Sequence, residues 1–408
     1  KMAFLCRWMN GILANSSFFP LIRPSLSSSR AYKALTGIDL PSIPKPKTAD
    51  HEKPMYRVYE MLKQRNPRVM VDEFKEFSKN PWFRRQERIY FLAAQRLAAV
   101  KQFAWIQEIV EEQKKYKSIT TESFVVRLLC LYGKSGMFNH ALKLFDEMPK
   151  LNCRPTVHSY NALLSACLHS RSFDKFESLF CEVPQKLGIK PDRVSYNTRV
   201  KAFCEMGRLD SGLAVVDEME KNGQQPDSIT FNLMLDRFYQ GGRFSDGENV
   251  WKLMEKKGVV PSIWSYNARL RGLVSEDRMP EAVELFDRLG TKRVQPDAST
   301  FSILIKGFCD DGDVVKAKEW YSKLTKTGFA PSRAVFGWLL PLSCEAGDFG
   351  WGLELCNEAI ARGYVVEEVL LQRTVDGLVK ESKVEDARKL VELVRRLDGY
   401  IDYVLKLE

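Results

Sequence analysis

The chain has 408 residues, 45% of them hydrophobic and 28% charged. That supports a large core and excludes a mostly disordered chain, and no stretch approaches the roughly 18–20 unbroken apolar residues of a membrane-spanning helix. The net charge is +10, but half of it falls in residues 1–50, where seven Lys/Arg face only Asp39 and Asp50, so global charge alone is weak evidence for a polyanionic partner.

The N-terminal segment reads as an address. Residues 2–38 contain no Asp or Glu, hold Arg7, Arg23 and Arg30, and are rich in serine, the composition of an organellar transit peptide. Residues 1–32 are expected to be a mitochondrial presequence, with Arg30 three residues before a cut that leaves Lys33 first. Import into the chloroplast is the runner-up. Residues 33–53, with Pro41, Pro44 and Pro46, have a linker composition. Residues 54–120 fit degenerate helical hairpins.

From residue 121 onward a period of 35 organises the chain. Prolines stand at 155, 191, 226, 261, 296 and 331, at intervals of 36, 35, 35, 35 and 35. The extra residue is assigned to a loop near Pro184–Lys190. Five residues after each proline comes a ring (Tyr160, Tyr196, Phe231, Tyr266, Phe301, Phe336), and nine after it an aliphatic (Leu164, Val200, Leu235, Leu270, Ile305, Leu340). In residues 193–224, Tyr196, Val200, Phe203 and Cys204 share one helical face. Gly207 then breaks the chain, and Leu209, Leu213, Val216 and Met219 line a second helix that Asn222-Gly223 and Pro226 end. Gly136, Gly242, Gly312 and Gly347 repeat the break; Asp277 and Ser170-Arg171 stand in its place elsewhere. A lone hairpin cannot bury its apolar face, but stacked hairpins can. The expected fold is therefore all-α, a right-handed α-solenoid of helix-turn-helix repeats over 121–365, with a capping hairpin and tail over 366–408.

No chemistry-bearing motif interrupts the pattern. The nine cysteines include no CxxC, so metal spacing is absent. Cys204, Cys309 and Cys344 lie multiples of 35 apart, as a small buried hydrophobe at one structural position would. No GxxxxGK[ST], HExxH or GxSxG occurs. The four histidines lack partners at ligand spacing, and Asp310, Asp311 and Asp313 read as a solvated turn without the loop of an EF-hand. No enzyme, cofactor, metal or small-molecule substrate is expected.

The strings KPDRVSYNTRVKAFCEMGRLDSGLAVVDEMEKNGQQPD and QPDSITFNLML resemble pentatricopeptide (PPR) repeats of the P type. The resemblance covers roughly residues 86–398 and is strongest over 157–332. It implies single-stranded RNA as partner, read at one base per repeat. It also implies which residues read it: the one after the buried ring, paired with the one after the next proline. Those pairs are Asn161/Asp192, Asn197/Asp227, Asn232/Ser262, Asn267/Asp297 and Ser302/Ser332. Asn with Asp resembles the uracil combination and Asn with Ser the cytosine one, giving 5′-U-U-C-U-N-3′. Val126/Thr156 and Gly337/Glu367 depart from the code. By the same resemblance Val194 and Ile229 sandwich bases, Trp264 and His158 are stacking candidates, and Ser299 and Ala334 are too small. The family's late first-helix lysine is matched only by Lys134. Lys201, Arg271 and Lys306 share another register, where phosphate contact and simple solvation both remain open.

A structural reading of the same residues stands beside this one, because Asn near a helix start and Pro-Asp are ordinary capping residues. Four Asn in register with Asp or Ser partners favour the RNA-facing origin. The chain ends DYVLKLE, without the Asp-Tyr-Trp ending or zinc set of the family's deaminases.

Four or five bases at ~1–3 kcal/mol each define only on the order of 10³ sequences. Such an array suits a tethered component of a large complex better than a free factor for one transcript. The stretch HALKLFDEMPKLNCRPTVHSYNALLSACLHSRSFDKFESLFCEVPQKLGIKPDRVSYNT is similar to a subgroup of short plant mitochondrial PPR proteins associated with the small subunit of the mitochondrial ribosome. That resemblance implies a matrix protein that contacts rRNA or mRNA and mitochondrial ribosomal proteins and supports translation. A free transcript-stabilising factor and a protein-only helical scaffold are the alternatives.

Overall fold

The computed structural model describes residues 54–291, 294–397 and 405–406. The expected presequence and linker lie outside them. The described residues contain 21 α-helices and two short 3-10 helices and no strand, and they divide into two compact units that part between Ile109 and Val110.

In the first unit α1 (Pro54–Lys63), α2 (Pro67–Ser78), α3 (Pro81–Arg84), α4 (Glu87–Ala99) and α5 (Phe103–Gln113) follow one another. The division between the units falls inside α5. Asn66 and Asn80 cap α2 and α3, each followed by proline at the first helical position, where its missing N–H costs nothing. Phe74 meets Phe83 and Tyr90 edge-on at 4.9 and 5.0 Å in the core.

The second unit is a stack of eight helical hairpins. Their first and second helices are α6/α7 (Glu122–Lys134, Phe138–Glu147), α8/α9 (Val157–His169, Phe173–Leu187), α10/α11 (Arg193–Glu205, Leu209–Lys221) and α12/α13 (Ser228–Gln240, Phe244–Lys256). They continue as α14/α15 (Ile263–Ser275, Met279–Thr291), α16/α17 (Ala298–Asp310, Val314–Lys326), α18/α19 (Arg333–Glu345, Phe349–Ala361) and α20/α21 (Glu368–Lys380, Val384–Arg395). Each first helix packs on its own second helix and on the first helix of the next hairpin, so the first helices form a continuous inner layer. This is an α-solenoid. The first and last hairpins are as regular as the rest, although their sequence pattern is weaker.

The ring and the aliphatic of every repeat are buried. The ring of one hairpin is packed by an aromatic on the preceding second helix: Phe180 on Tyr196 (5.5 Å), Trp251 on Tyr266 (5.2 Å), Phe286 on Phe301 (5.4 Å) and Tyr321 on Phe336 (6.3 Å). Such pairs add about 0.5–1.5 kcal/mol each beyond their buried area. The extra residue of the 36-residue repeat is not in a loop. It lengthens α9 to 15 residues where α11 has 13, and the helix runs through Pro184.

The turn inside each hairpin needs one left-handed residue. Gly136, Gly207, Gly242, Gly312 and Gly347 supply it at φ of 69 to 74°, whereas Arg171 (52°), Asp277 (55°) and Ser382 (61°) adopt the same conformation with a Cβ. A left-handed non-glycine costs roughly 1–2 kcal/mol. Asp277→Gly is therefore expected to raise the denaturation midpoint, by about 1 kcal/mol after the entropy of glycine is deducted. An unchanged or lower midpoint counts against the strain.

At the far end of the stack Leu405 is buried. The Gln372 side chain accepts from the Lys406 N–H and donates to the Lys406 carbonyl, both at 2.9 Å.

Candidate nucleic-acid interface

Five of the eight first helices begin with reciprocal capping boxes. Thr156, Asp192, Asp227, Ser262 and Asp297 are the N-caps, and Ser159, Ser195, Thr230, Ser265 and Thr300 are the hydroxyl residues three positions on. These five hydroxyl residues have no exposed surface. Each lies immediately before the buried ring, so the hydroxyl is as periodic in the sequence as the ring itself.

The four asparagines join this network from the preceding hairpin. Asn161 Nδ2 donates to Asp192 Oδ1 (3.0 Å), and Ser195 Oγ donates to Asn161 Oδ1 (2.6 Å). The next junction repeats it: Asn197 to Asp227 at 3.3 Å, with Thr230 to Asn197 at 2.6 Å. Asn232 donates to Ser262 at 3.2 Å and accepts from Ser265 at 2.6 Å. Asn267 donates to Asp297 at 3.1 Å and accepts from Thr300 at 2.8 Å. The predicted pairs are thus brought together, as clasps between successive hairpins. A primary amide carries two donors and two acceptor lone pairs, so each clasp leaves one N–H and one lone pair uncommitted.

The junctions are not equivalent. Asn161, Asn197 and Asn232 are half-buried, but Asn267 is only 2% exposed, so the expectation of a groove-lining side chain fails there. Ser302 turns back on its own helix and donates to the Ala298 carbonyl at 2.7 Å. Ser332 is exposed and caps nothing with its side chain, so the fifth pair is not joined. Gln372, which occupies the asparagine register in α20, spends its amide on the backbone of residue 406. Val194 (41% exposed), Ile229 (38%) and Trp264 (62%) stand beside the clasps, one residue into the helices that follow.

Glu122 takes over at the first junction, where Val126 has no amide. Its carboxylate accepts from the Thr156 N–H (2.9 Å), the Thr156 hydroxyl (2.8 Å) and the Ser159 N–H (3.2 Å). Burial alone would raise its pKa; the Ser159 and Thr156 donors outweigh burial and hold the carboxyl below its ordinary value. A depressed carboxylate stabilises the fold above its unfolded pKa and loses that contribution as pH falls through the folded one. Glu122→Gln is expected to cost about 1 kcal/mol at neutral pH. The wild type should then lose more stability than the variant between about pH 6 and pH 3. Parallel pH profiles of the two proteins would refute this role.

The three cations for which the sequence leaves both phosphate contact and solvation open are paired. Lys201 lies 3.8 Å from Glu205, Arg271 is 2.5 Å from Asp236, and Lys306 meets Asp310. Burial also draws the Lys201 pKa down. Arg199 is clamped between Glu177 and Glu218, at 2.7 Å from each, and lies over the Phe180 ring at 4.4 Å; Arg269 pairs with Glu248 at 2.6 Å and lies over the Trp251 ring at 4.8 Å. These arginines tie adjacent helices together.

Burial pushes the thiols of Cys167, Cys204, Cys309 and Cys356 up to about 12, so they behave as small apolar groups at neutral pH. In the acidic turn, Asp310 holds Lys306 and Asp313 caps α17 through the Lys316 N–H (2.9 Å).

The sequence matches the PPR repeat family over residues 127–169, 155–205, 191–240 and 261–310, and the PPR repeat over 229–259 and 299–329. It is 46% identical over 157 residues to "Small ribosomal subunit protein mS79 (rPPR3b)" of Arabidopsis thaliana, a match covering 38% of this chain and 40% of that protein. It is 47% identical over 157 residues to "Small ribosomal subunit protein mS78 (rPPR3a)" of the same plant, covering 38% and 39%. The chain thus spans about two fifths of these curated relatives. The crystal structure of the pentatricopeptide repeat protein PPR10 from maize aligns over 85% of this chain and 59% of its own, at 19% identity and a TM-score of 0.49. With six repeat matches falling on hairpins of the described stack, the chain belongs to the pentatricopeptide repeat family.

Proposed function

We propose that the protein is a non-catalytic RNA-binding component of the small subunit of the plant mitochondrial ribosome, where it contacts rRNA or mRNA and supports translation. The observation that carries this reading is the 46–47% identity to two small-subunit proteins over 157 residues. The geometry adds a mechanism. A base entering between successive first helices meets the spare N–H and lone pair of Asn161, Asn197 or Asn232, with Asp192, Asp227 or Ser262 beside it. It is flanked by Val194, Ile229 or Trp264. An amide offering one donor and one acceptor complements the Watson–Crick edge of a pyrimidine.

Asn267/Asp297 and Ser302/Ser332 complete the proposed row with weaker claims, the first because of burial and the second because it is unjoined. The acid-free N-terminal composition supports import into the matrix, with residues 1–32 as presequence and 33–53 as linker. Residues 54–120 serve as the N-terminal helical part, 121–365 as the reading array and 366–408 as the cap. No helix among the described residues is long and apolar enough to cross a membrane.

Sedimentation of mitochondrial extract tests the assignment. The protein should travel with intact small subunits and be released with them at low magnesium. Its absence from ribosomal fractions while the subunits remain intact refutes it.

A further inference from the structure

The open clasps do not run the length of the stack. Asn161, Asn197 and Asn232 are half-buried, but Asn267 is 2% exposed, so the spare N–H and lone pair of the fourth clasp are shut off from solvent. Beyond it Ser302 folds back on the Ala298 carbonyl, Ser332 caps nothing with its side chain, and Gly337 has no side chain to offer. Three successive amides are open to a base, and the next is closed.

The second residue of each first helix changes at the same place. Val194 is 41% exposed, Ile229 38% and Trp264 62%, and the small Ser299 and Ala334 follow in the same register. Trp264 stands two residues after Ser262, the N-cap of the third clasp, and one helical turn before the sealed Asn267. It is the one aromatic among the exposed large hydrophobic side chains in the described residues of the stack. A single exposed apolar residue is ordinary. This one ends a row of exposed apolar residues that flank open amides, and it is larger and barer than the two aliphatics before it.

The inference that follows rests on the RNA-binding reading above and narrows it. We propose that the protein reads three bases, U-U-C, and that Trp264 ends the read segment as a stacking platform for one unread nucleotide on its 3′ side. One face of the indole covers the base held at Asn232. The next base lies against the other face, where the amide of Asn267 is out of reach and no hydrogen-bonding choice is made. Aromatic stacking accepts every base, and its modest preferences follow stacking strength. A purine, with two fused rings, covers more of an indole than a pyrimidine does. The favoured strand is therefore U-U-C followed by a purine, and the uracil expected from the Asn267/Asp297 pair is not selected.

The test titrates the full-length protein, Trp264→Leu and Asn197→Ala, each shown to be folded by circular dichroism melting. The probes are short RNA strands in which U-U-C-A, U-U-C-G, U-U-C-U or U-U-C-C sits between abasic spacers, and a fifth strand with A-U-U-C. The wild type should bind the two 3′-purine strands about 3–10-fold more tightly than the other three. Trp264→Leu should bind the 3′-purine strands about 10-fold more weakly than wild type and bring all five strands within about twofold of one another. Asn197→Ala should weaken all five and keep the purine preference, since it removes a read base and leaves the platform. A wild-type preference for uracil at the fourth position overturns the proposal. So does a purine preference that survives Trp264→Leu or that appears on the 5′ side instead. Unchanged affinities in Trp264→Leu, with loss of the protein from ribosomal fractions, assign the indole to a protein neighbour and likewise overturn it. A wild type that binds U-U-C strands with no regard to the fourth base refutes this inference alone, whereas one that binds none of the strands refutes the RNA-binding reading beneath it.

Discussion

Alanine at Asn161, Asn197, Asn232 and Asn267 together is expected to lower affinity for a UUCU-containing single strand by about 10²–10³-fold. Each base read by hydrogen bonding and stacking is worth ~1 kcal/mol or more, and every 1.4 kcal/mol is a factor of ten. The four positions should not contribute equally. Asn161, Asn197 and Asn232 retain access to solvent, whereas Asn267 is sealed at 2% exposure. Asn267→Ala alone should therefore change affinity by less than about threefold while lowering stability by about 1–2 kcal/mol, the cost of leaving buried partners unpaired. The other three should show the opposite balance. The larger stability cost at Asn267 rests on its burial alone, because the hydroxyl partner has a substitute at all three aspartate junctions: Ser195 Oγ lies 3.1 Å from Asp192 Oδ1, Thr230 Oγ1 3.1 Å from Asp227 Oδ1 and Thr300 Oγ1 3.0 Å from Asp297 Oδ1. A hydroxyl has one proton to donate, and it can turn to the carboxylate once the amide is gone. Filter binding and chemical denaturation on the same variants separate the two effects. Equal affinity losses at all four positions would contradict the burial argument.

Gly133→Ala is expected to damage the fold far more than a single methyl group suggests. A Cβ built on Gly133 lies 2.5 Å from Ala166 Cα and 2.6 Å from its Cβ. Neither atom belongs to a flexible side chain, so α6 and α8 must separate along their contact. Overpacking in a rigid core costs about 1–3 kcal/mol, occasionally more, and a backbone contact puts this case at the upper end, about 3 kcal/mol. Stacked repeats are stabilised by nearest-neighbour interfaces, so the damage should stay local. Hydrogen exchange should show lost protection over residues 122–147 with 193–395 unaffected. Uniform loss of protection, or none, would contradict this picture. At Gly241 and Gly212 nothing comparably close exists beyond the local backbone and ordinary side-chain contacts, which makes those positions useful controls.

Much of this architecture can be read from spacing alone, because each repeat must bury the same ring and the same aliphatic against the next copy. The glycine breaks were equally legible, since a left-handed turn residue is a local requirement. Other features depend on what lies one repeat away. The clasp hydroxyls at Ser195, Thr230, Ser265 and Thr300 are periodic but look like ordinary helix-start residues until Asn161 and its equivalents are seen to reach them. The pairing of Lys201 with Glu205 and of Lys306 with Asp310 follows the four-residue spacing of a helix. That of Arg271 with Asp236 crosses from one first helix to the previous one and needs the register of the stack. The burial of Asn267, compared with its three equivalents, has no counterpart in the local sequence. The path of α9 through Pro184 runs against the usual cost of proline in a helix.

On the proposed function, bases enter between successive first helices at the asparagine clasps. Photocrosslinking of the full-length protein to an oligonucleotide carrying 4-thiouridine within UUCU, with mapping of the modified residues, tests it most directly. Adducts are expected only at the starts of α10, α12 and α14, around Val194, Ile229 and Trp264. Adducts confined to the second helices, or unchanged in yield when the four asparagines are alanine, would contradict it.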